Sequence, residues 1–230
     1  MPLFLATVVL AAVGFLLRLM QLRYVFDDSG LPVSGSGLTF ALVVVCCAAA
    51  LLLLLGCGGI PKREEFARNF GSNQTYFVLT CLAALGLLVG SAAGVWSAIP
   101  GPGEALSVVA LLPSFCGVLA ALCIFMAASG CRKGAKPITA LYLIPFFFLV
   151  VRLIVDFKWG WSSDPIILDY CFDLFAVLSA MTAAYHLAGF CFDKGHRART
   201  SFWCLMSTVF CATACADGGL ADCLTYAALA

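Results

Sequence analysis

Residues 38–56 read LTFALVVVCCAAALLLLLG, a stretch without a single charge. At 1.5 Å per residue such a run matches the ~30 Å hydrocarbon core of a bilayer, and it exceeds what a buried helix of a soluble domain needs. Six further segments follow the same pattern, at 2–22, 76–97, 105–128, 138–157, 166–192 and 201–216. Lipid offers the backbone no hydrogen-bond partner, so each such segment satisfies its own amides as a helix. The sequence therefore predicts an all-α, polytopic transmembrane helical bundle with seven spans, and residues 1–230 form one domain. The first run, FLATVVLAAVGFLLRLMQL, lacks a charged leader and is too long for a signal-peptide core, so it reads as a span. After the turn signal Asp217-Gly218-Gly219, the segment 220–230 (LADCLTYAALA) starts a new apolar run. It is a candidate partial eighth segment, either a short interfacial helix or a span cut off by the end of the chain.

Composition agrees with this. The chain is 63% hydrophobic and 11% charged, against about 45–50% and about 25% for soluble domains. A net charge of +1 without a Lys/Arg-rich run gives no footing for nucleic acid. The partner implied is the lipid bilayer, with another membrane protein or a second copy as the candidate protein partner. None of the thirteen cysteines forms a C-x-x-C pair, and most lie within apolar segments, where Cys packs as a small hydrophobe. No cofactor and no metal site are expected.

Charge also predicts orientation. Lys62, Arg63, Arg68, Arg132, Lys133, Lys136, Lys194, Arg197 and Arg199 all fall in the second, fourth and sixth loops. The positive-inside rule places those loops, and with them the N-terminus, in the cytoplasm. Trp96, Trp159, Trp161 and Tyr24 then mark the outer boundary, and Trp203 and Tyr76 the inner one.

Against this background the stretch VVRLIVDFKWGWSSDPIILDYCFDLF, residues 150–175, stands out. Arg152 and Asp156 lie near the outer end of the fifth span, and Asp169 and Asp173 near the outer start of the sixth. Arg18, Arg23, Asp217 and Asp222 fall at the same depth. Arg152 and Asp156 are spaced i, i+4 on one face and are expected to pair. Asp169 and Asp173, like charges at the same spacing, call for a nearby cation: Arg152, Arg18, Lys158 or a bound group. Asp164-Pro165 reads as an N-cap followed by proline at the first helical position. Asp217 and Asp222 read as solvated turn residues. Two interpretations stay open, since intramembrane charges pair, face the bundle interior or line a cavity. The cluster is either a structural clasp joining helices 1, 5, 6 and 7, or an outward-facing polar pocket formed by Arg152, Asp156, Asp169 and Asp173.

Other motifs carry less. Gly86-x3-Gly90-x3-Gly94 is a small-residue face that permits close helix approach. Pro113 and Pro145 are expected to kink their helices. Glu64-Glu65-x-x-Arg68 is one residue short of an intramembrane-protease signature and lies in a loop. His186 and His196 make no metal pair, Asn73-Gln74-Thr75 falls on the cytoplasmic side, and Cys204, Cys211 and Cys215 read as packing. No catalytic residues are assigned.

The runs FDDSGLP and DPIILDY, with the alternating basic loops, resemble an uncharacterised family of multi-pass integral membrane proteins from anaerobic Gram-positive bacteria. The resemblance implies a bacterial cytoplasmic (plasma) membrane and members that extend past the end of this chain. It implies no activity, cofactor or catalytic residue. The expectation is a non-enzymatic membrane component or partner subunit; the alternative is a small-solute transporter or ligand sensor.

Overall fold

In the computed structural model, residues 2–26, 36–61, 74–99, 108–133, 138–163 and 166–230 are described, with Asp169 placed through its backbone alone. The helices are α1 (Pro2–Tyr24), α2 (Gly37–Gly58), α3 (Gln74–Ser97), α4 (Val108–Arg132), α5 (Thr139–Val155), α6 (Ile167–Gly189), α7 (Arg197–Ala214) and α8 (Leu220–Leu229). A π-helical turn, Asp156–Gly160, and a 3-10 turn, Trp161–Ser163, extend α5, and Phe190–Phe192 closes α6 as a 3-10 turn.

Six helices are long and apolar enough to cross a membrane: those containing Leu3–Tyr24, Gly37–Gly58, Gln74–Ser97, Leu111–Arg132, Ala140–Gly160 and Tyr170–Phe192. The expected seventh, at 201–216, is not among them. Its helix, α7, has 18 residues, about 27 Å of rise, but carries Arg197, Arg199 and several hydroxyl residues. The reason is its position. α7 packs against α1, α2, α6 and α8, and Thr200, Ser207 and Thr213 are buried there. Hydroxyl side chains are accommodated on such a helix where they face the bundle interior and find hydrogen-bond partners. Its hydroxyls are satisfied locally, as where Thr213 Oγ1 donates to the Val209 carbonyl at 2.9 Å.

The partial eighth segment is a ten-residue helix, α8, about 15 Å long and half a bilayer core. It lies along α3, and the glycine face explains how. A Cβ on Gly90 would meet Thr225 Oγ1 at 2.6 Å and the Ala221 carbonyl at 3.1 Å, and one on Gly86 would meet the Ala228 Cβ at 3.2 Å. The small-residue stripe thus seats a helix of the same chain. Gly94 instead faces Ser114 on α4. Leu42, Leu87, Ala120, Phe148, Leu149, Phe172, Val177, Cys211 and Tyr226 form the main core, drawing on α2 to α8.

One boundary differs from expectation. α6 begins at Ile167 with Ile166 as its N-cap residue and no side-chain cap. Asp164 therefore does not take the N-cap place, and residues 164–165 lie outside the described residues. Pro113 and Pro145 both sit inside continuous helices. Glu64, Glu65, Arg68, Asn73, Lys62, Arg63 and Lys136 also lie outside the described residues.

Candidate functional site

Charged groups from distant parts of the sequence meet at the end of the bundle where α1 and α5 finish, and they form two nodes. The first centres on Arg18, which is fully buried at 0% exposure. Its Nε donates to both Asp217 oxygens, at 2.8 and 2.9 Å. Nη1 donates to Gln21 Oε1 at 2.7 Å, and Nη2 to the Leu168 carbonyl at 3.0 Å. Phe172 lies under the guanidinium at 4.9 Å. Gln21 Nε2 passes the network to Thr39 Oγ1 at 2.8 Å, beside Ser36, whose hydroxyl accepts from the Thr39 amide to cap α2. One guanidinium thus ties α1, α2, α6 and the turn after α7. The expected clasp joins helices 1, 5, 6 and 7; this node instead reaches α2 and leaves out α5, and Asp217 is not the solvated turn residue the sequence suggests. It is instead a 9%-exposed ion-pair partner, because the turn folds back over the end of α1.

The second node centres on Arg152. The expected Arg152–Asp156 pair forms, with Nε to Oδ2 at 3.3 Å. A shorter contact was not expected: Nη2 to Asp222 Oδ1 at 2.8 Å, joining α5 to α8. Tyr226, one turn further along α8, places its ring 5.1 Å from the guanidinium carbon. Asp222 is half-exposed, but it too is engaged rather than merely solvated.

Asp173 stands between the nodes. It is attracted by Arg152, repelled by Asp217 and Asp222, and hydrogen-bonded by the Tyr226 side chain. Its Oδ1 is buried with no hydrogen-bond partner. Of the cations expected near it, Arg152 is the one that acts on it electrostatically, while the ion pairs of Arg152 among the described residues go to Asp156 and Asp222. The Asp169 side chain lies outside the described residues.

The second node opens onto a cavity. A space of about 440 Å³ lies between α3, α4, the end of α5 and α8, lined by Arg152, Asp156, Asp222, Ser91, Ser97, Ser114, Thr225 and Trp159. The π-helical turn contributes here by bringing Trp159 and Gly160 to the wall directly after Asp156; such turns recur at functional sites. Of the four residues proposed from sequence, Arg152 and Asp156 line the cavity and Asp173 does not. The sequence places Asp222 at this depth but suggests a solvated turn residue, and it gives no sign of Tyr226, Gln21 and the hydroxyls. The usable signal was charge balance: two arginines and the acids at one depth, Asp217 and Asp222 included, had to be considered as one set. No protein-family model matches the chain, and neither does any curated protein or solved structure.

Proposed function

We propose that the chain is a seven-span, non-enzymatic protein of the bacterial cytoplasmic membrane, with its N-terminus inside. Its outward-facing cavity binds a small solute bearing an ammonium group, as a carrier or sensor would. The observation that carries this reading is the wall of the Arg152 cavity. Asp156 and Asp222 each engage Arg152 through one oxygen, so a second oxygen on each carboxylate remains for a donor. Serine and threonine hydroxyls complete a wall suited to a small ammonium group, beside Trp159, whose ring already carries the Lys158 ammonium at 4.7 Å. A volume of about 440 Å³ lies within the range of small-molecule pockets. The Arg18 node has the opposite character. It is sealed and packed, which supports the clasp reading for that half of the cluster.

The test is the melting temperature of the purified chain in detergent, titrated with primary amines, amino acids and carboxylic acids. Amine-bearing solutes should stabilise it, with Trp159 fluorescence changing in parallel. D156N and D222N should each weaken that binding by about tenfold to a hundredfold, the worth of a hydrogen bond to a charged group. No stabilisation by any amine, or a shift that survives both substitutions, overturns the proposal.

A further inference from the structure

At the opposite end of the bundle, α6 passes into α7 through residues 190–196, and a second cavity of about 600 Å³ opens beside this connection. Its wall carries Lys194, Arg199, His186 and His196, together with Tyr185 and Phe192. His186 is thirteen residues along α6 from Asp173, about 20 Å away by helical rise, so this site is separate from the Arg152 cavity. We infer that it binds the phosphate of an anionic phosphate ester, a membrane phospholipid being the source its surroundings fit.

Three observations support this. The first is unbalanced charge. His186 lies within electrostatic reach of both Arg199 and His196, yet none of the described residues lining the cavity is a carboxylate; Asp193, next to Lys194, is exposed and outside the wall. Among the described residues neither Lys194 nor Arg199 enters an ion pair. A guanidinium, an ammonium and imidazoles converging on one space form a donor set for phosphate oxygens. The second is the start of α7. His196 occupies its N-cap position without a side-chain cap, which leaves first-turn amides and the positive end of the helix dipole at the cavity.

The third is that the connecting segment is held in place. Asp193 adopts a left-handed conformation, φ 53°, and its amide donates to the Phe190 carbonyl at 3.2 Å. The Lys194 amide donates to the Gly189 carbonyl at 3.1 Å. Gly195 is buried against the Phe190 ring so closely that no side chain would fit. Lys194 and His196 are thus presented from a fixed backbone. Tyr185 and Phe192, both exposed, add an apolar border beside the cations. That combination suits a lipid, whose headgroup would meet the charges while its chains follow the helices; basic pockets at this level bind anionic headgroups.

The full chain in detergent, titrated with phosphatidylglycerol or phosphatidylcholine and read by native mass spectrometry and melting, tests the site. Phosphatidylglycerol should bind preferentially, and K194Q/R199Q should weaken it roughly thirtyfold, the effect of two surface charges, without altering phosphatidylcholine adducts. Melting of the lipid-free variant checks that it is folded, and H196Q should give a smaller loss. Displacement of phosphatidylglycerol by inorganic phosphate would support recognition of the phosphate itself. Stabilisation by inorganic phosphate with no preference between the lipids would overturn the lipid source. Equal binding of the two lipids without any phosphate effect, or phosphatidylglycerol binding unchanged in K194Q/R199Q, overturns the site.

Discussion

Arg18 does not line the cavity, yet its loss should damage the protein more than any other single charge change. Its guanidinium is fully buried and serves partners on two other segments, α6 and the turn after α7, besides Gln21 on its own helix. Arg18→Ala removes the guanidinium that engages both oxygens of the buried Asp217, a change that costs about 3–5 kcal/mol. The expected outcome is a collapse in folded yield or melting temperature in detergent. The double change R18M/D217L should recover much of the loss, because removing both charges removes the orphaned one. A double variant as unstable as the single would show that the node matters for something other than pairing. The two nodes also differ in how far the sequence disclosed them. Arg152–Asp156 was legible because i, i+4 spacing fixes two side chains on one helix face. Arg18–Asp217 spans 199 residues; topology gave the two a common depth, but only packing chooses a partner within that depth.

At the scale of elements, α8 is the piece on which the cavity depends, since Asp222 and Thr225 form part of its wall and Asp222 holds Arg152. Its seat on α3 is graded along the glycine face. At Gly86 an added Cβ meets a methyl at 3.2 Å, whereas at Gly90 it meets a hydroxyl at 2.6 Å and backbone atoms at 3.1 Å. G86A should therefore be tolerated with little change in melting temperature, and G90A should cost about 1–3 kcal/mol. G90V should lift α8 and abolish amine binding at the Arg152 cavity. Equal effects at the two positions would mean that α8 is not packed as described. The glycine spacing could be read from the sequence, but its occupant could not. A ten-residue apolar run has no signature separating an interfacial helix from an interrupted span, and close helix approach serves either an internal or an intermolecular partner. The π-helical turn after Val155 was equally hidden, because the apolar pattern passes through it without a break.

At the scale of the molecule, α7 stands apart from the six long apolar helices, and its course decides the topology. Contacts at its two ends give the argument. Asp217, three residues past α7, is paired with Arg18 near the end of α1. Arg199, in the first turn of α7, shares a cavity with His186 near the end of α6. His186 and the Leu168 carbonyl that accepts from Arg18 stand at opposite ends of α6, about 27 Å apart along the helix. α7 therefore runs from one end of α6 to the other, packed among α1, α2, α6 and α8. If α1 crosses from inside to outside, residues following α7 emerge outside. Alkaline phosphatase fused after Gly218 should then be active, as should a fusion after Val25, whereas fusions after Lys133 and after Gly195 should be inactive and a cytoplasmic reporter there active. An inactive phosphatase at Gly218 beside an active one at Val25 would place the two arms of the Arg18–Asp217 pair on opposite sides of the membrane. The seven-span reading, and the outward-facing cavity with it, would then be wrong.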